Sequence, residues 1–169
     1  ASRSESFMTD AHGRDHVTKI ELALDKDNNF LAFRTETMAN VGAYLSNFST
    51  VTPTILHGTL MAGNYSVPNV YVNVKTVFTN TAPVDAYRGA GRPEATYSLE
   101  RVIDKAATEL DVDPIELRRK NFIKPDQFPY VTAAGLNYDV GDYDAIMDKL
   151  EHHANLKGFA KRRKKSEAK

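Results

Sequence analysis

Asp85-Ala86-Tyr87-Arg88-Gly89-Ala90-Gly91-Arg92-Pro93-Glu94-Ala95 is a glycine-punctuated turn that leads directly into a helical pattern. Its two glycines permit backbone dihedrals that other residues avoid, and they let a ligand approach the chain closely. The proline suits the first helical position, and the glutamate after it complements the positive end of the helix dipole. Backbone amides and the guanidiniums of Arg88 and Arg92 therefore suit an anion or an electron-rich oxygen. For the turn taken alone, a plain helix start with solvated arginines is the favoured interpretation.

Downstream of this turn the pattern is helical. Apolar residues recur at three- and four-residue spacing over residues 93–110, which predicts an amphipathic helix. Asp113, followed by Pro114, predicts the start of a second helix, and Asp142 predicts the start of the last one. Residues 124–140 contain prolines and a glycine and are predicted to be loop.

Upstream of the turn the apolar residues alternate with polar ones. Residues 16–24 and 30–39 flank a turn-forming stretch and predict a β-hairpin, whose second strand residues 41–45 can extend. Residues 68–79 predict a third strand. We expect the polar residues 1–15 to form a lead-in loop or the frayed end of a preceding element. Thr52 or Thr54 can cap a short helix that runs to Met61. The element order is β-hairpin, helix, strand, helices. It predicts an α+β fold, a two-layer sandwich of a small mixed sheet with helices packed on one face.

Composition excludes several classes of protein. The 169 residues are 41% hydrophobic, enough for one or at most two domains with a core. Lys plus Arg and Asp plus Glu number 22 each, so no net charge steers nucleic acid or membrane. The chain has no cysteine, which excludes disulfides, thiolate metal sites and a Cys nucleophile within it. No apolar run is long enough for a transmembrane helix.

The histidines and the basic end do not form a recognisable site. His12 and His16 flank a glycine at a strand start, so we predict no metal site there. His57 has no Ser or Cys partner nearby in sequence, which leaves nucleophilic catalysis unsupported. Residues 155–169 can form a flexible basic tail. Its run at residues 161–165 fits a solvated helix end better than a nucleic-acid patch, because it lacks interleaved aromatics.

Residues 86–95 resemble the large, molybdopterin-binding subunit of the molybdenum hydroxylases. That family includes xanthine dehydrogenase, aldehyde oxidase and the carbon monoxide dehydrogenase large chain. The resemblance continues through residues 100–104 and 113–123, and upstream through residues 42–44 and 64–69. Together these stretches span most of the chain.

The resemblance implies a molybdenum–pterin cofactor in the full subunit, expected as the cytosine dinucleotide, with none bound to the isolated chain. The family hydroxylates an electron-poor carbon with oxygen derived from water, and its electrons leave through iron–sulfur and FAD subunits. Arg88 is the expected active-site residue here, and the general-base glutamate is expected outside this chain. The residues expected to bind the cofactor are Tyr87, Arg88, Gly89, Ala90, Gly91 and Arg92. None of them is expected to be a metal ligand.

Three departures from the family bear on the substrate. Gly89 stands where carbon monoxide dehydrogenases have the copper-ligand cysteine, so a copper–molybdenum site is not expected. Ala90 stands where purine-oxidising members have a stacking phenylalanine, and Leu56-His57 occupies the region of their substrate-binding arginine. The resemblance therefore favours a small-molecule substrate of the aldehyde or N-heteroaromatic class.

Family subunits are several times longer than this chain. We therefore expect residues 1–169 to be a single subdomain of a longer, cytoplasmic large subunit, inactive alone, with no nucleic-acid partner. Such a piece should expose an apolar patch and place Arg88 at a surface concavity. The alternative is a stand-alone binding or interaction module without redox chemistry, which should have a polar surface all round.

Overall fold

A computed structural model describes residues 1–168 of the chain. Its main sheet consists of β1 (His16–Leu24), β2 (Phe30–Gly42) and β3 (Asn69–Phe78), in the order β1-β2-β3. β1 and β2 form an antiparallel hairpin, and β3 runs parallel to β2. The predicted hairpin, third strand and mixed sheet are confirmed, and the second strand extends to Gly42 rather than ending at residue 39.

The described residues contain five α-helices: α1 (Arg3–Thr9), α2 (Arg92–Leu110), α3 (Pro114–Asn121), α4 (Tyr143–Ala154) and α5 (Phe159–Glu167). α2 packs on the sheet, and its buried Leu99 and Ile103 share one hydrophobic core with Phe30 and Phe33 of β2. Helices on one face of a small mixed sheet make this the predicted two-layer α+β fold.

The opposite face of the sheet carries charges because the side chains of a strand alternate between faces. Lys19 and Glu21 of β1 form an ion pair at 2.8 Å. Arg34 of β2 pairs with Glu36 at 2.7 Å and reaches Glu21 at 3.7 Å. Exposed pairs of this kind add little stability. The same face also exposes Val17, Met38 and Tyr71, so it is charged but not polar throughout.

The predicted starts of α3 and α4 are confirmed. The Asp113 carboxylate accepts hydrogen bonds from two amides of the first turn of α3, at 2.7 and 3.1 Å. The Asp142 carboxylate accepts from the amide of Ala145 at 2.9 Å. Arg119 of α3 then joins the two helices, because its guanidinium bonds the carboxylates of Asp148 and Glu151 at 2.7 Å each.

Two segments expected to be irregular contain regular structure. Residues 3–9 form α1, which a reciprocal bond between Ser2 and Glu5 caps. None of its residues is buried, so its sequence lacks the regular spacing of apolar residues that predicts a helix. Residues 124–140 were predicted to be loop, but they contain a 3₁₀ turn (Pro125–Gln127) and a hairpin of β4 (Tyr130–Val131) and β5 (Asn137–Tyr138). Two-residue strands are too short to show alternation.

The predicted threonine cap in the connection between β2 and β3 is wrong. Thr52–Leu56 is a π-helical turn that begins after Val51 without a side-chain cap. The Thr54 hydroxyl instead donates to the Thr50 carbonyl at 2.5 Å, back along the turn.

The prediction that α4 is the last helix is also wrong. A 3₁₀ turn (Leu156–Gly158) follows it, and exposed α5 carries the basic run. Lys169, the last residue of the expected tail, lies outside the described residues. Among residues 1–168, no helix combines the length and the apolar character that crossing a bilayer requires.

Candidate functional site

The turn before α2 is tightly wound and leads straight into the helix. We call residues 87–92 the Arg88 loop. The Ala90 amide donates to the Tyr87 carbonyl at 2.7 Å, and the Arg92 amide donates to the Gly89 carbonyl at 3.2 Å. Gly89, Ala90 and Gly91 have φ angles of 93°, 32° and 83°, in the left-handed region that favours glycine. Gly91 is the residue that caps α2, so the predicted helix start is confirmed within one residue.

Gly91 is buried against the π-helical turn Thr52–Leu56. A β-carbon at this position would lie 2.7 Å from the backbone nitrogen of His57 and 2.7 Å from the carbonyl carbon of Leu56. It would also lie 2.8 Å from the Thr52 carbonyl oxygen. Since all three contacts are with backbone, only glycine fits. Gly91 is visible in the sequence, but its neighbours Thr52, Leu56 and His57 are not, because they lie more than 30 residues away.

The outer side of the Arg88 loop presents hydrogen-bond donors. Within residues 1–168, the amides of the exposed Arg88 and Gly89 donate no hydrogen bond to the protein. The Arg88 side chain is exposed and forms no ion pair with another described residue, and the Arg92 side chain is also exposed. The Arg92 guanidinium donates only to the Gly89 carbonyl, at 3.4 Å. Free amides on a glycine turn, next to the unpaired Arg88 guanidinium, form a concentration of donors that fits an anionic group or an electron-rich oxygen.

Asp85 fastens the approach to this loop. Its carboxylate accepts hydrogen bonds from its neighbour Ala86 and from the Phe48 amide, the latter at 3.2 Å. Partial burial works to raise the pKa of Asp85, but bonds from Ser46 and from nearby amides outweigh it and hold that pKa below its usual value. The ionised carboxylate therefore ties the segment that follows β2 to the Arg88 loop.

Apolar side chains surround the loop end of the sheet. β2 and β3 are parallel, so the segments that follow them leave the same edge, and the Ala43 amide donates to the Thr81 carbonyl at 3.0 Å. Several large side chains of these segments are more than half exposed: Tyr44, Leu45, Phe48, Phe78 and Tyr87. Grouped exposed apolar side chains are typical of surfaces that contact another protein segment.

A cleft of about 560 Å³ lies beside the loop, between β1 and the start of α2. Arg14, His16, Glu94 and Arg101 are among its lining residues, but Arg88 is not. This cleft is therefore not the concavity that the sequence analysis placed at Arg88.

Two histidines lie beneath the loop. His57 is completely buried, and its ring meets that of His16 edge-on with 5.4 Å between ring centroids. Burial, together with the neighbouring His16, lowers the pKa of His57 from 6.5 to about 4, although Glu94 and the Gly91 backbone act in the opposite direction. Burial also lowers the pKa of His16, against Glu94 and Asp15. Both rings are therefore neutral at pH 7.

This pair predicts a loss of stability in mild acid. A histidine that is buried neutral takes up its proton more readily in the unfolded chain, so its contribution is full above the unfolded pKa of 6.5. That contribution is lost as the pH falls from 6.5 towards 4. We expect the free energy of unfolding, measured with urea, to fall by about 2 kcal/mol between pH 7 and pH 5.

The control for this effect is His57→Gln, which removes the more strongly shifted ring and should reduce the pH dependence over the same interval to the part that comes from His16. The interval avoids the carboxylates whose pKa lies below 3.8, such as Asp25 and Asp85, since these titrate at lower pH. An equal loss of stability in the variant and the parent would show that His57 is not the group responsible.

His12 and His16, for which no metal site was predicted, lie apart and make different contacts. His12 pairs with Val84 in an isolated parallel bridge, whereas His16 faces His57. Within the described residues, no three His, Asp or Glu side chains are placed to hold a metal ion. Any metal at the Arg88 loop would therefore need ligands from outside this part of the chain.

The chain is similar to proteins that bind a molybdopterin cofactor. The molybdopterin cofactor-binding domain family matches residues 1–122. The carbon monoxide dehydrogenase large chain of Hydrogenophaga pseudoflava is 39% identical over 152 residues, which cover 88% of this chain and 19% of that protein. The 6-hydroxypseudooxynicotine dehydrogenase complex subunit gamma of Paenarthrobacter nicotinovorans is 33% identical over 143 residues, which cover 85% of this chain and 18% of that subunit.

The fold also matches that of a solved structure. Quinoline 2-oxidoreductase from Pseudomonas putida 86 superposes with a TM-score of 0.92 at 30% identity, over 99% of this chain and 22% of that one. The chain thus spans about a fifth of the length of these relatives. The match covers most of the strands, α2 and the Arg88 loop between them, and the resemblance to the molybdenum hydroxylases is confirmed. The chain belongs to the molybdopterin cofactor-binding domain family.

Proposed function

We propose that this chain is the segment of a molybdenum hydroxylase large subunit in which the Arg88 loop faces the molybdenum–pterin cofactor. The observation that supports this most directly is the set of free donors on the loop. The amides of Arg88 and Gly89 and the guanidinium of Arg88 are exposed and have no partner among residues 1–168, in a chain whose family binds molybdopterin. The residues present fit an oxyanionic group.

In this proposal Arg88 and the loop amides orient and stabilise negative charge on oxygen. A guanidinium forms charge-assisted hydrogen bonds, and preorganised donors lower the energy of charge that develops during a reaction. When bound, the molybdenum–pterin group would supply two-electron redox chemistry that hydroxylates a carbon with water-derived oxygen. Tyr87, Ala90 and Arg92 complete the loop that would hold it. The general-base glutamate would come from outside this chain, so the isolated chain would be inactive.

The substrate class proposed is an aldehyde or an N-heteroaromatic compound. Two relatives have names that denote such nitrogen heterocycles, quinoline and a pseudooxynicotine. Gly89 offers no thiolate, and the chain has no cysteine, so a copper site of the carbon monoxide dehydrogenase kind has no ligand here. The proposed cofactor form is the cytosine dinucleotide.

The proposed partners are the remainder of the large subunit and iron–sulfur and FAD subunits, in the cytoplasm. One relative is named as a subunit of a dehydrogenase complex, which supports partner subunits. The exposed Tyr44, Phe48 and Phe78 around the loop also favour a covered surface over the alternative of a stand-alone module, which should be polar all round.

A segment exchange tests the proposal. The matching residues of the Hydrogenophaga pseudoflava large chain are replaced by those of this chain, and the purified chimera is analysed for molybdenum and pterin. We expect both at levels close to those of the unmodified large chain. Because a charge-assisted hydrogen bond contributes about 1.5–3 kcal/mol, Arg88→Met should reduce molybdenum retention about tenfold.

Arg34→Met in the same chimera is the matched control for Arg88→Met. Arg34 lies exposed on the charged face of the sheet, where it pairs with Glu36. Its chimera should keep its molybdenum. A chimera that folds but contains neither molybdenum nor pterin would contradict the proposal and favour the stand-alone module. Stoichiometric molybdenum in the isolated 169-residue chain would contradict the expectation that other segments are required.

A further inference from the structure

Arg14 contacts the Arg88 loop from behind, although 74 residues separate it from Arg88. Its guanidinium carbon lies 4.9 Å from the centroid of the Tyr87 ring. Its Nη2 donates to the carbonyl oxygen of Arg88. Its Nε lies 3.6 Å from a carboxylate oxygen of Glu94, in the first turn of α2. One side chain thus contacts three residues at the loop or immediately after it.

The backbone around Arg14 is fastened to the same region. The His12 amide donates to the Pro83 carbonyl at 2.9 Å, and the Asp85 amide donates to the His12 carbonyl at 2.8 Å. Gly13 packs directly against the β-carbon of Tyr87, where a larger residue would collide. The segment between α1 and β1, predicted to be a lead-in loop, therefore runs along the approach to the Arg88 loop as its support.

Arg14 also has an unfavourable backbone conformation. Its φ is 59°, a value that residues with a side chain rarely adopt, and such strain persists only where surrounding contacts hold it. The Arg14 side chain is 30% exposed and that of Glu94 only 9%, so the ion pair is partly shielded from solvent. The contacts to the loop are therefore specific enough to hold a residue in a costly conformation.

We propose that Arg14 is a positioning residue that fixes the rear of the Arg88 loop, so that its free amides and the Arg88 side chain face outward. The guanidinium lies against the Tyr87 ring while its Nη2 donates to the Arg88 carbonyl. Its Nε forms an ion pair with the Glu94 carboxylate at 3.6 Å, without a hydrogen bond. A lysine ammonium, as a point charge, does not match this combination. What the loop holds rests on the proposed function, but the positioning by Arg14 does not.

Amide hydrogen exchange in the 169-residue chain, followed by NMR, tests this inference. The amides of Ala90 and Arg92 form the hydrogen bonds of the loop, so their exchange reports loop opening. We expect Arg14→Gly and Arg14→Lys each to speed exchange at these two amides about tenfold, as the loss of a cation–π contact and a hydrogen bond implies. Amides in the core, at Phe33 and Ile103, should keep their parent rates.

The two variants separate the possible causes. Glycine relieves the strain at φ 59°, so faster exchange in Arg14→Gly must come from the lost side chain. Lysine retains the positive charge. Faster exchange in Arg14→Lys would therefore show that the loop needs the planar guanidinium and not only a positive charge. Arg3→Gly removes another arginine that lies over a ring, that of Phe7 in α1, and should leave the loop unchanged.

Three results would overturn the inference. Unchanged exchange at Ala90 and Arg92 in Arg14→Gly would show that the side chain does not hold the loop. Parent-like exchange in Arg14→Lys would show that a positive charge suffices. An equal rise at Phe33 and Ile103 would assign Arg14 to general stability. If Arg14→Gly fails to fold by circular dichroism, the lysine variant decides. None of these measurements needs the cofactor, so failure of the segment exchange leaves them interpretable.

Discussion

Gly91→Ala is expected to destabilise the chain by about 4 kcal/mol, measured as the free energy of urea unfolding. The added methyl would lie 2.7–2.8 Å from backbone atoms of Thr52, Leu56 and His57, and backbone cannot turn aside as a flexible side chain can. Overpacking of this kind costs about 1–3 kcal/mol. The φ of 83° adds about 1–2 kcal/mol, because alanine disfavours the left-handed region.

Gly135→Ala is the control that separates these two contributions. Gly135 has a similar φ of 89°, but a β-carbon there has no neighbour within 4 Å. The variant should therefore lose only the conformational part, about 1 kcal/mol. Equal losses in the two variants would show that the turn Thr52–Leu56 yields to the methyl group and does not fix the loop.

Local patterns predicted the sheet and the main helix because their causes are local. β1 and β3 alternate strictly in sequence, and α2 repeats its apolar residues at helical spacing, so each element could be predicted from its own residues. Asp113 and Asp142 cap the helices that they precede, as predicted. The parallel pairing of β2 with β3 could not be predicted from the sequence of either strand, because it depends on the path of the connection between them.

The elements that were missed lacked such signals or showed them weakly. α1 has no buried residue, and only the Ser2 and Glu5 capping pair at its start could have indicated it. β4 and β5 have two residues each, too few for alternation. The threonine cap was predicted from residue type alone, whereas Thr54 uses its hydroxyl on the Thr50 carbonyl.

Part of the candidate site could be predicted from local sequence, and part could not. The Arg88 loop was visible in sequence, because glycines and arginines before a helix have local chemistry and because the stretch resembles a known family. Arg14 and His57 were not, since each acquires its role only through a contact with a residue distant in sequence. Gly13 next to Arg14 was the available hint, but a single glycine at a strand start does not name its partner.

Asn121, at the end of α3, joins that helix to the β1–β2 hairpin. It is 4% exposed. Its amide nitrogen donates to the carbonyls of Asn28 and Leu117 at 3.0 and 2.9 Å, and its oxygen accepts from the Phe30 amide at 2.7 Å. The side chain thus satisfies backbone groups on two elements that are about 90 residues apart, and no apolar side chain of the same size could replace it.

Asn121→Ala should lower the free energy of unfolding by about 3 kcal/mol, because it leaves the Phe30 amide buried without its partner and removes the side-chain bonds to the Asn28 and Leu117 carbonyls. Urea unfolding at pH 7 measures the loss. Asn121→Leu keeps the branched shape and leaves no cavity, but it loses the hydrogen bonds and should lose about as much stability. Exposed Asn80→Ala should change stability by less than about 0.5 kcal/mol. A near-neutral Asn121→Leu would instead assign the loss in the alanine variant to a cavity. The hairpin and α3 would then be joined by packing alone, without a need for the Asn121 hydrogen bonds.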